Sequence, residues 1–194
     1  MDEQLAWAKW WACPWALSHS DWRLVNEEAG SLSPIYQSHH QALNKARGIG
    51  PRLPTQPHSS IIRLALASPT QMDLMLALAA SLYQLEHDSS VNVDDLLWCE
   101  RFSKALQPDA SLLLGNDSLS LLYNWLEPDV WVRLRLRFAR TRVLVCEQHT
   151  RALDPQKRLD TLWHAIIWRV TSCAVDEPSD ERDEDIDHVV STQA

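Results

Sequence analysis

Five arginines lie within ten residues of one another, at Arg133, Arg135, Arg137, Arg140 and Arg142. Trp131 lies beside them, and Trp125 precedes them by a few residues. Guanidinium groups pair with carboxylates or phosphates in a planar geometry, and an indole ring offers a flat apolar face. The combination indicates either an arginine face that pairs with acids of this chain or of a protein partner, or a surface for nucleic acid.

Charge is unevenly distributed in this chain, whose net charge is −8 and whose pI is near 5.4. Residues 176–194 contain eight acidic residues and one arginine, so this segment carries −7 and the remainder is nearly neutral. Segments of this composition are usually disordered and solvated. Because such a tail would compete with nucleic acid for the arginines, we expect a protein partner and keep nucleic acid as the alternative.

The sequence offers little other chemistry. The four cysteines, Cys13, Cys99, Cys146 and Cys173, form no CxxC pair, which is typical of buried, reduced thiols. Cys146, His149, His164 and Cys173 could together be imagined as zinc ligands, but their spacing matches no common zinc pattern. The chain also lacks GxGxxG, P-loop, HExxH and GxSxG motifs. We therefore expect no enzyme activity, cofactor, metal or small-molecule substrate.

Helices are the elements expected to position these side chains. The chain has ten tryptophans and only four glycines, which favours helices over turn-rich β structure. Ser68 and Pro69 are suited to begin a helix on which Leu74, Leu78 and Leu82 share a face. Further helices are predicted within residues 92–106, 117–125 and 154–170. The predicted fold is mainly α, a single irregular helical domain of about six to eight helices.

Two interpretations compete for residues 131–138, where arginines alternate with apolar residues. Alternation is typical of a strand, so a minor β element near 131–138 is one possibility. Pro128 and Asp129, however, suit the start of a helix, and a helix would place Leu134 and Phe138 on one face. We favour the helix because the sequence offers no clear second strand for pairing.

Four regions are predicted along the chain: a Trp-rich helical segment over 1–30, a Pro- and Gly-rich loop region over 31–59, a helical core over 60–175, and an acidic, disordered tail over 176–194. Trp7, Trp11 and Trp15 fall on one helical face, which indicates either core packing or an anchor for a partner. Asp21 is expected to begin a second helix that continues to Glu28. A short helix is possible within residues 34–47.

The N-terminal residues also bear on the compartment. Asp2 and Glu3 replace the basic start of a signal peptide, and Lys9 interrupts the apolar stretch. No window is long and apolar enough for a transmembrane helix. The expected location is the cytoplasm.

Three segments of the chain resemble one family. WLEPDVWVRLRLRFARTRV, LLWCERFSKAL and RLDTLWHAIIWRV are similar in character and order to segments of the type III secretion sorting-platform adaptors, the SctK family, which includes the Hrp-type members. The resemblance covers roughly residues 70–172. It implies a mainly helical cytosolic protein without a cofactor.

The resemblance also implies a role and partners. Family members join the inner-membrane ring of the injectisome to the cytoplasmic pods built from the SctQ protein. The expected partners are therefore the cytoplasmic domain of the ring and the pod protein, with the membrane reached only through the ring. Under this hypothesis the five arginines form the docking surface, and Trp125 and Trp131 are anchors. A secretion chaperone is a further alternative that differs mainly in its partner.

Overall fold

The computed structural model describes residues 2–23, 40–54, 56–83, 91–106, 117–148 and 156–172. The α-helices within these ranges are α1 (Glu3–Ala12), α2 (His40–Ala46), α3 (Ser59–Leu66), α4 (Pro69–Leu82), α5 (Val93–Leu106), α6 (Leu119–Trp125), α7 (Pro128–Leu134), α8 (Arg140–Glu147) and α9 (Gln156–Ser172). Short 3-10 helices span Pro14–Leu17, Ser20–Trp22 and Arg135–Arg137. No strand occurs among the described residues. The mainly helical fold is confirmed, with more helices than the predicted six to eight.

Helix α4 lies at the centre of the core and begins where the sequence predicts. The Ser68 hydroxyl accepts a hydrogen bond from the Gln71 N–H at 3.1 Å, and the Gln71 side chain accepts one from the Ser68 N–H at 2.9 Å. This reciprocal capping box satisfies two donors that a helix start would otherwise leave unpaired. Met75 and Leu78 are completely buried, and α4 packs against α5 and α9.

Helix α9 closes the core from the other side. Leu159, Leu162, Trp163 and Ile166 recur at helical spacing and are completely buried. The helix contacts α3, α4, α5 and α6. None of the described helices alone has the length and apolar composition to cross a bilayer; α3 and α4 reach that composition only as a pair bent by 118°.

The N-terminal tryptophans belong to the core. Trp7, Trp10 and Trp11 on α1 are at most 5% exposed and join the main cluster, with the Trp7 and Trp10 ring centres 5.0 Å apart. Trp15 belongs to a smaller cluster with Leu136. Of the two interpretations of the tryptophan stripe, core packing therefore fits the structure.

Asp21 does not begin a helix, which corrects the prediction for this residue. It lies inside the 3-10 helix Ser20–Trp22, and His19 caps that element by accepting a hydrogen bond from the Asp21 N–H at 3.3 Å. Residues 24–30, where the predicted helix would continue, lie outside the described residues, as do residues 31–39 and the acidic tail over 176–194.

Residues 128–147 are helical except for a break at Phe138 and Ala139. Helix α7 continues directly into the 3-10 helix Arg135–Arg137, and Phe138 and Ala139 then adopt extended backbone before α8 begins. The favoured helical interpretation of 131–138 is confirmed up to Arg137, and no β element occurs there. The break at Phe138 and Ala139 separates α8 from the preceding helical residues.

Candidate functional site

Arg133 on α7 points into the molecule and is 3% exposed. Its Nε donates to the carbonyl oxygen of Trp11 at 3.2 Å, and its Nη1 donates to the carbonyl oxygen of Asp129 at 2.7 Å. The guanidinium carbon lies 3.7 Å from the centre of the Trp11 ring, a cation–π contact. Burial lowers the pKa of Arg133, and the charge of Asp129 opposes that effect. This side chain therefore joins α7 to α1.

Arg135 and Trp131 share one acceptor, the carboxylate of Glu147 on α8. Arg135 Nη1 lies 2.8 and 3.0 Å from the two oxygens, and Trp131 Nε1 donates to Glu147 Oε1 at 2.8 Å. A second nitrogen of Arg135 donates to the carbonyl oxygen of Arg47 at 3.0 Å. Trp131 is 2% exposed. Both side chains thus stabilise the bend between α7 and α8.

Arg137 caps the C-terminal end of α3. Its Nη1 and Nη2 donate to the carbonyl oxygens of Ala65 and Ala67 at 3.3 and 2.7 Å. Carbonyl groups in the last turn of a helix have no partner within the helix, so an external donor is needed there. Arg137 therefore fixes the corner at which α3 leads into α4.

Arg142 and Asp117 form a bidentate ion pair. Arg142 Nε and Nη2 donate to the two carboxylate oxygens at 2.7 and 2.6 Å, and the Leu119 N–H donates to Asp117 Oδ1 at 2.8 Å. Burial alone would raise the pKa of Asp117, but the hydrogen bonds from Arg142 and Leu119 and the charge of Arg142 hold that pKa below its usual value. The pair joins α8 to the start of α6.

Arg140 is the exposed member of the five arginines. Its backbone N–H donates to the Asp21 carboxylate at 3.1 Å, and its guanidinium carbon lies 5.4 Å from the centre of the Trp22 ring. The structure thus corrects the expected docking surface. The guanidinium groups of the other four find acceptors within this chain, so the set does not form one outward arginine face.

Trp125 lies at the end of α6 and is 5% exposed. Its Nε1 donates to Asp160 Oδ1 at 2.8 Å, and its ring stacks on Trp163 with centres 5.9 Å apart. The same ring lines a cleft of about 380 Å³ between the start of α3, the loop before α7 and α9. Trp125 is therefore a wall of a cleft and contributes little exposed surface for a partner.

A pair of histidines forms another part of this cleft. The rings of His58, at the start of α3, and His164, on α9, stack with centres 4.6 Å apart and planes inclined by 26°. Burial lowers the pKa of His164, the neighbouring His58 lowers it further, and Asp160 opposes both effects. No sequence pattern signals this pair, because 106 positions separate two isolated histidines.

Exposed apolar side chains are the features that sequence reasoning missed. Trp168 on α9 is 61% exposed, although most apolar residues of that helix are buried. Val93 and Leu97 on α5 are 71% and 45% exposed, and Leu144 and Val145 on α8 are 46% and 54% exposed. The signal for Trp168 was present, since it lies two residues after Ile166 and so falls on the opposite side of the helix.

The cysteines have packing roles where the structure describes them. Cys99 and Cys146 are buried, and burial, the largest cause, raises the pKa of each thiol to about 11. This confirms the expectation of buried, reduced thiols for these two, whereas Cys13 is half-buried. His149 and Cys173 of the imagined zinc set lie outside the described residues, and no metal-binding cluster of three ligands occurs within them.

Comparison of this chain with family models, curated proteins and solved structures found no match. Accessible features of the described residues include the exposed apolar side chains on α5, α8 and α9 and the cleft beside Trp125. Both are suited to contacts with other molecules, while the paired arginines stabilise the fold.

Proposed function

We propose that this chain is an adaptor that works by binding other proteins. We further propose that its partners are the cytoplasmic ring domain and the pod protein of a type III secretion sorting platform. The observation that carries the first step is the exposure of Trp168. The second step rests on the resemblance of residues 70–172 to the SctK family.

Exposure of Trp168 supports a partner surface on physical grounds. An aromatic side chain of this size buries about 150–250 Å² when it is fully covered. A partner that covers an exposed tryptophan therefore gains a large buried apolar area. Tryptophan is also enriched among the residues that dominate the energy of protein interfaces. Leu97 and Val93 on α5 are exposed as well. Trp168 and Leu97 each lie in a segment that resembles the family.

The proposed mechanism is scaffolding. Burial of Trp168 and other exposed apolar side chains against a partner would supply affinity, and surrounding charges would set orientation and association rate. An adaptor of this kind would act at the cytoplasmic face of the inner membrane and would reach the membrane only through the ring. It needs no cofactor or small-molecule substrate.

The alternative of nucleic-acid binding depended on a cluster of arginines at the surface. Phosphate contacts need arginines that are available to solvent. The guanidinium groups of Arg133, Arg135, Arg137 and Arg142 already donate hydrogen bonds within the chain. We therefore propose protein partners alone.

A binding measurement with purified components tests both steps. The full chain is immobilised and titrated with the ring cytoplasmic domain and the pod protein of the same bacterium. We expect measurable binding to at least one of them and a loss of about 30-fold or more in affinity for Trp168→Ala, as for a central interface tryptophan. Leu53→Ala is the matched control, because Leu53 is an apolar side chain that is 89% exposed in the loop before α3.

The possible outcomes separate the two steps of the proposal. Equal affinities for Trp168→Ala and Leu53→Ala would remove α9 from the interface. If neither secretion protein binds, the assignment to a secretion platform fails. Recovery of nucleic acid that survives moderate salt, in place of protein, would reverse the choice of partner class.

A further inference from the structure

The stacked histidines join two elements that are distant in sequence. His58 precedes α3, and His164 lies in the middle of α9. We propose that His58 and His164 form a pH-sensitive latch that holds the start of α3 against α9 and opens when the pair is protonated. The proposal concerns the cleft beside Trp125 and does not depend on the identity of the partners.

His58 performs a local function that protonation would remove. Its Nδ1 accepts a hydrogen bond from the Ser60 N–H at 3.3 Å, so the imidazole caps the N-terminal end of α3. Accepting this bond requires that Nδ1 carry no proton. A proton on Nδ1 would turn the acceptor into a donor and would place positive charge at a helix N-terminus, where positive charge is unfavourable.

The stacking geometry adds a second penalty. With ring centres 4.6 Å apart, protonation of both imidazoles would bring two like charges into contact. The charged groups that line the same cleft are Asp160 on α9 and Glu127 ahead of α7, while α6 contributes the uncharged ring of Trp125. Asp160 also accepts a hydrogen bond from Trp125 Nε1 at 2.8 Å, so one of its oxygens is already engaged.

The direction of the pH effect follows from His164. Burial first, and His58 second, lower its pKa from the ordinary value of 6.5, against the opposing charge of Asp160. A group whose pKa is lower in the folded chain binds fewer protons there than in the unfolded chain. The closed latch is therefore fully stable above about pH 6.5 and loses stability as the pH falls below that value.

Opening would change the cleft beside Trp125. The His164 ring packs edge-on against Trp125 with centres 5.8 Å apart, and His58 stacks on His164 at the wall of the same cleft. Separation of the two histidines would therefore uncover this side of the cleft. The latch thus couples mild acidification to exposure of an aromatic wall.

Thermal unfolding at about pH 7.5 and pH 5.5 tests the proposal, since this interval spans the titration of histidine. The test variant is His58→Asn with His164→Phe, which keeps a capping oxygen and a stacking ring but removes both imidazoles. We expect the midpoint to fall on acidification by about 2–4 °C more in the natural chain than in this variant. His19→Asn is the matched control, because His19 Nδ1 also caps a short helix at 3.3 Å and no ring of the described residues stacks on it.

The control should retain most of the acid-induced fall of the natural chain, because it leaves the stacked pair of His58 and His164 intact. Identical pH profiles for the natural chain and the double variant would overturn the proposal. An NMR titration of the natural chain provides a second readout that does not depend on folding of the double variant. It should give His164 a midpoint below 6.5 that rises in His58→Asn, and an unchanged His164 midpoint would also overturn the latch.

Discussion

Arg133 and Trp11 are 122 positions apart, yet the Arg133 guanidinium carbon lies 3.7 Å from the centre of the Trp11 ring. The contact is the inner part of a longer seam between the N-terminal segment and the arginine-rich segment. Along it, the His19 N–H donates to the Leu136 carbonyl at 2.7 Å, and Trp22 Nε1 donates to the Phe138 carbonyl at 2.9 Å. The N-terminus of this chain therefore occupies the surface on which a partner of the arginines was expected.

Replacement of Arg133 should destabilise the fold. Arg133→Ala removes a cation–π contact and leaves the buried carbonyl oxygen of Trp11 without this donor. We expect a loss of about 2–4 kcal/mol in the free energy of unfolding, measured by urea denaturation. Arg101→Ala is the control, because Arg101 is exposed on α5 and surface changes usually stay within about 0.5 kcal/mol. Equal losses for both variants would contradict a structural role for Arg133.

The tryptophans of α1 should behave as core residues. Trp10 is 5% exposed and stacks on Trp7, so Trp10→Ala should lower the free energy of unfolding by about 3–5 kcal/mol. Leu5 lies on the same helix and is 50% exposed, so Leu5→Ala should change it by less than about 0.5 kcal/mol. Urea denaturation of the two variants measures the difference. A small effect of Trp10→Ala would show that α1 is not part of the cooperative core.

Local features of the fold could be predicted from the sequence. Ser68 and Gln71 form a capping box, Pro69 occupies the first helical position, and the start of α4 follows from these residues. The leucines of α4 and the apolar residues of α9 repeat with helical period, so their burial also follows from spacing. In each case the determining contacts lie within one or two helical turns.

The arrangement of the candidate site could not be predicted in this way. Arg137 and Arg142 find their acceptors 25 or more positions away, and Arg133 reaches Trp11 as well as the nearby Asp129. An arginine carries no local mark of whether it faces a partner or its own chain. The stacking of His58 on His164 depends equally on how α3 packs against α9. Among these features, only the exposure of Trp168 could be inferred from local spacing, because Trp168 lies opposite the buried face of α9.

From the ion pair between Asp117 and Arg142 we predict that the free energy of unfolding depends on pH in the acid range. Because the pKa of Asp117 is lower in the folded chain, its contribution is present above the ordinary value of 3.8 and is lost as the pH falls through the folded pKa. Asp117→Asn should therefore cost about 1 kcal/mol at neutral pH, a modest value because both side chains are about a third exposed. The difference from the natural chain should shrink towards zero below pH 3.8.

Urea denaturation across this pH range, monitored by circular dichroism, measures how the difference in the free energy of unfolding shrinks. Glu100→Gln is the control, since Glu100 pairs with Lys104 on the exposed side of α5 at 2.8 Å. Exposed pairs one helical turn apart contribute little to stability. A cost of Asp117→Asn that stays constant from neutral pH to pH 3 would contradict the ionic origin of the contribution.

Arg137 should be needed for the corner between α3 and α4. Arg137→Met keeps the apolar stem but leaves the carbonyl oxygens of Ala65 and Ala67 without their donor, so we expect a loss of about 1–3 kcal/mol. Arg140→Met is the control in the same segment; among the described residues it removes a contact at 5.4 Å from the Trp22 ring, and it should cost less than about 1 kcal/mol. Hydrogen exchange locates the effect, because the lost protection should concentrate at the end of α3 and the start of α4. Protection that falls evenly over all helices would instead assign Arg137 a general packing role.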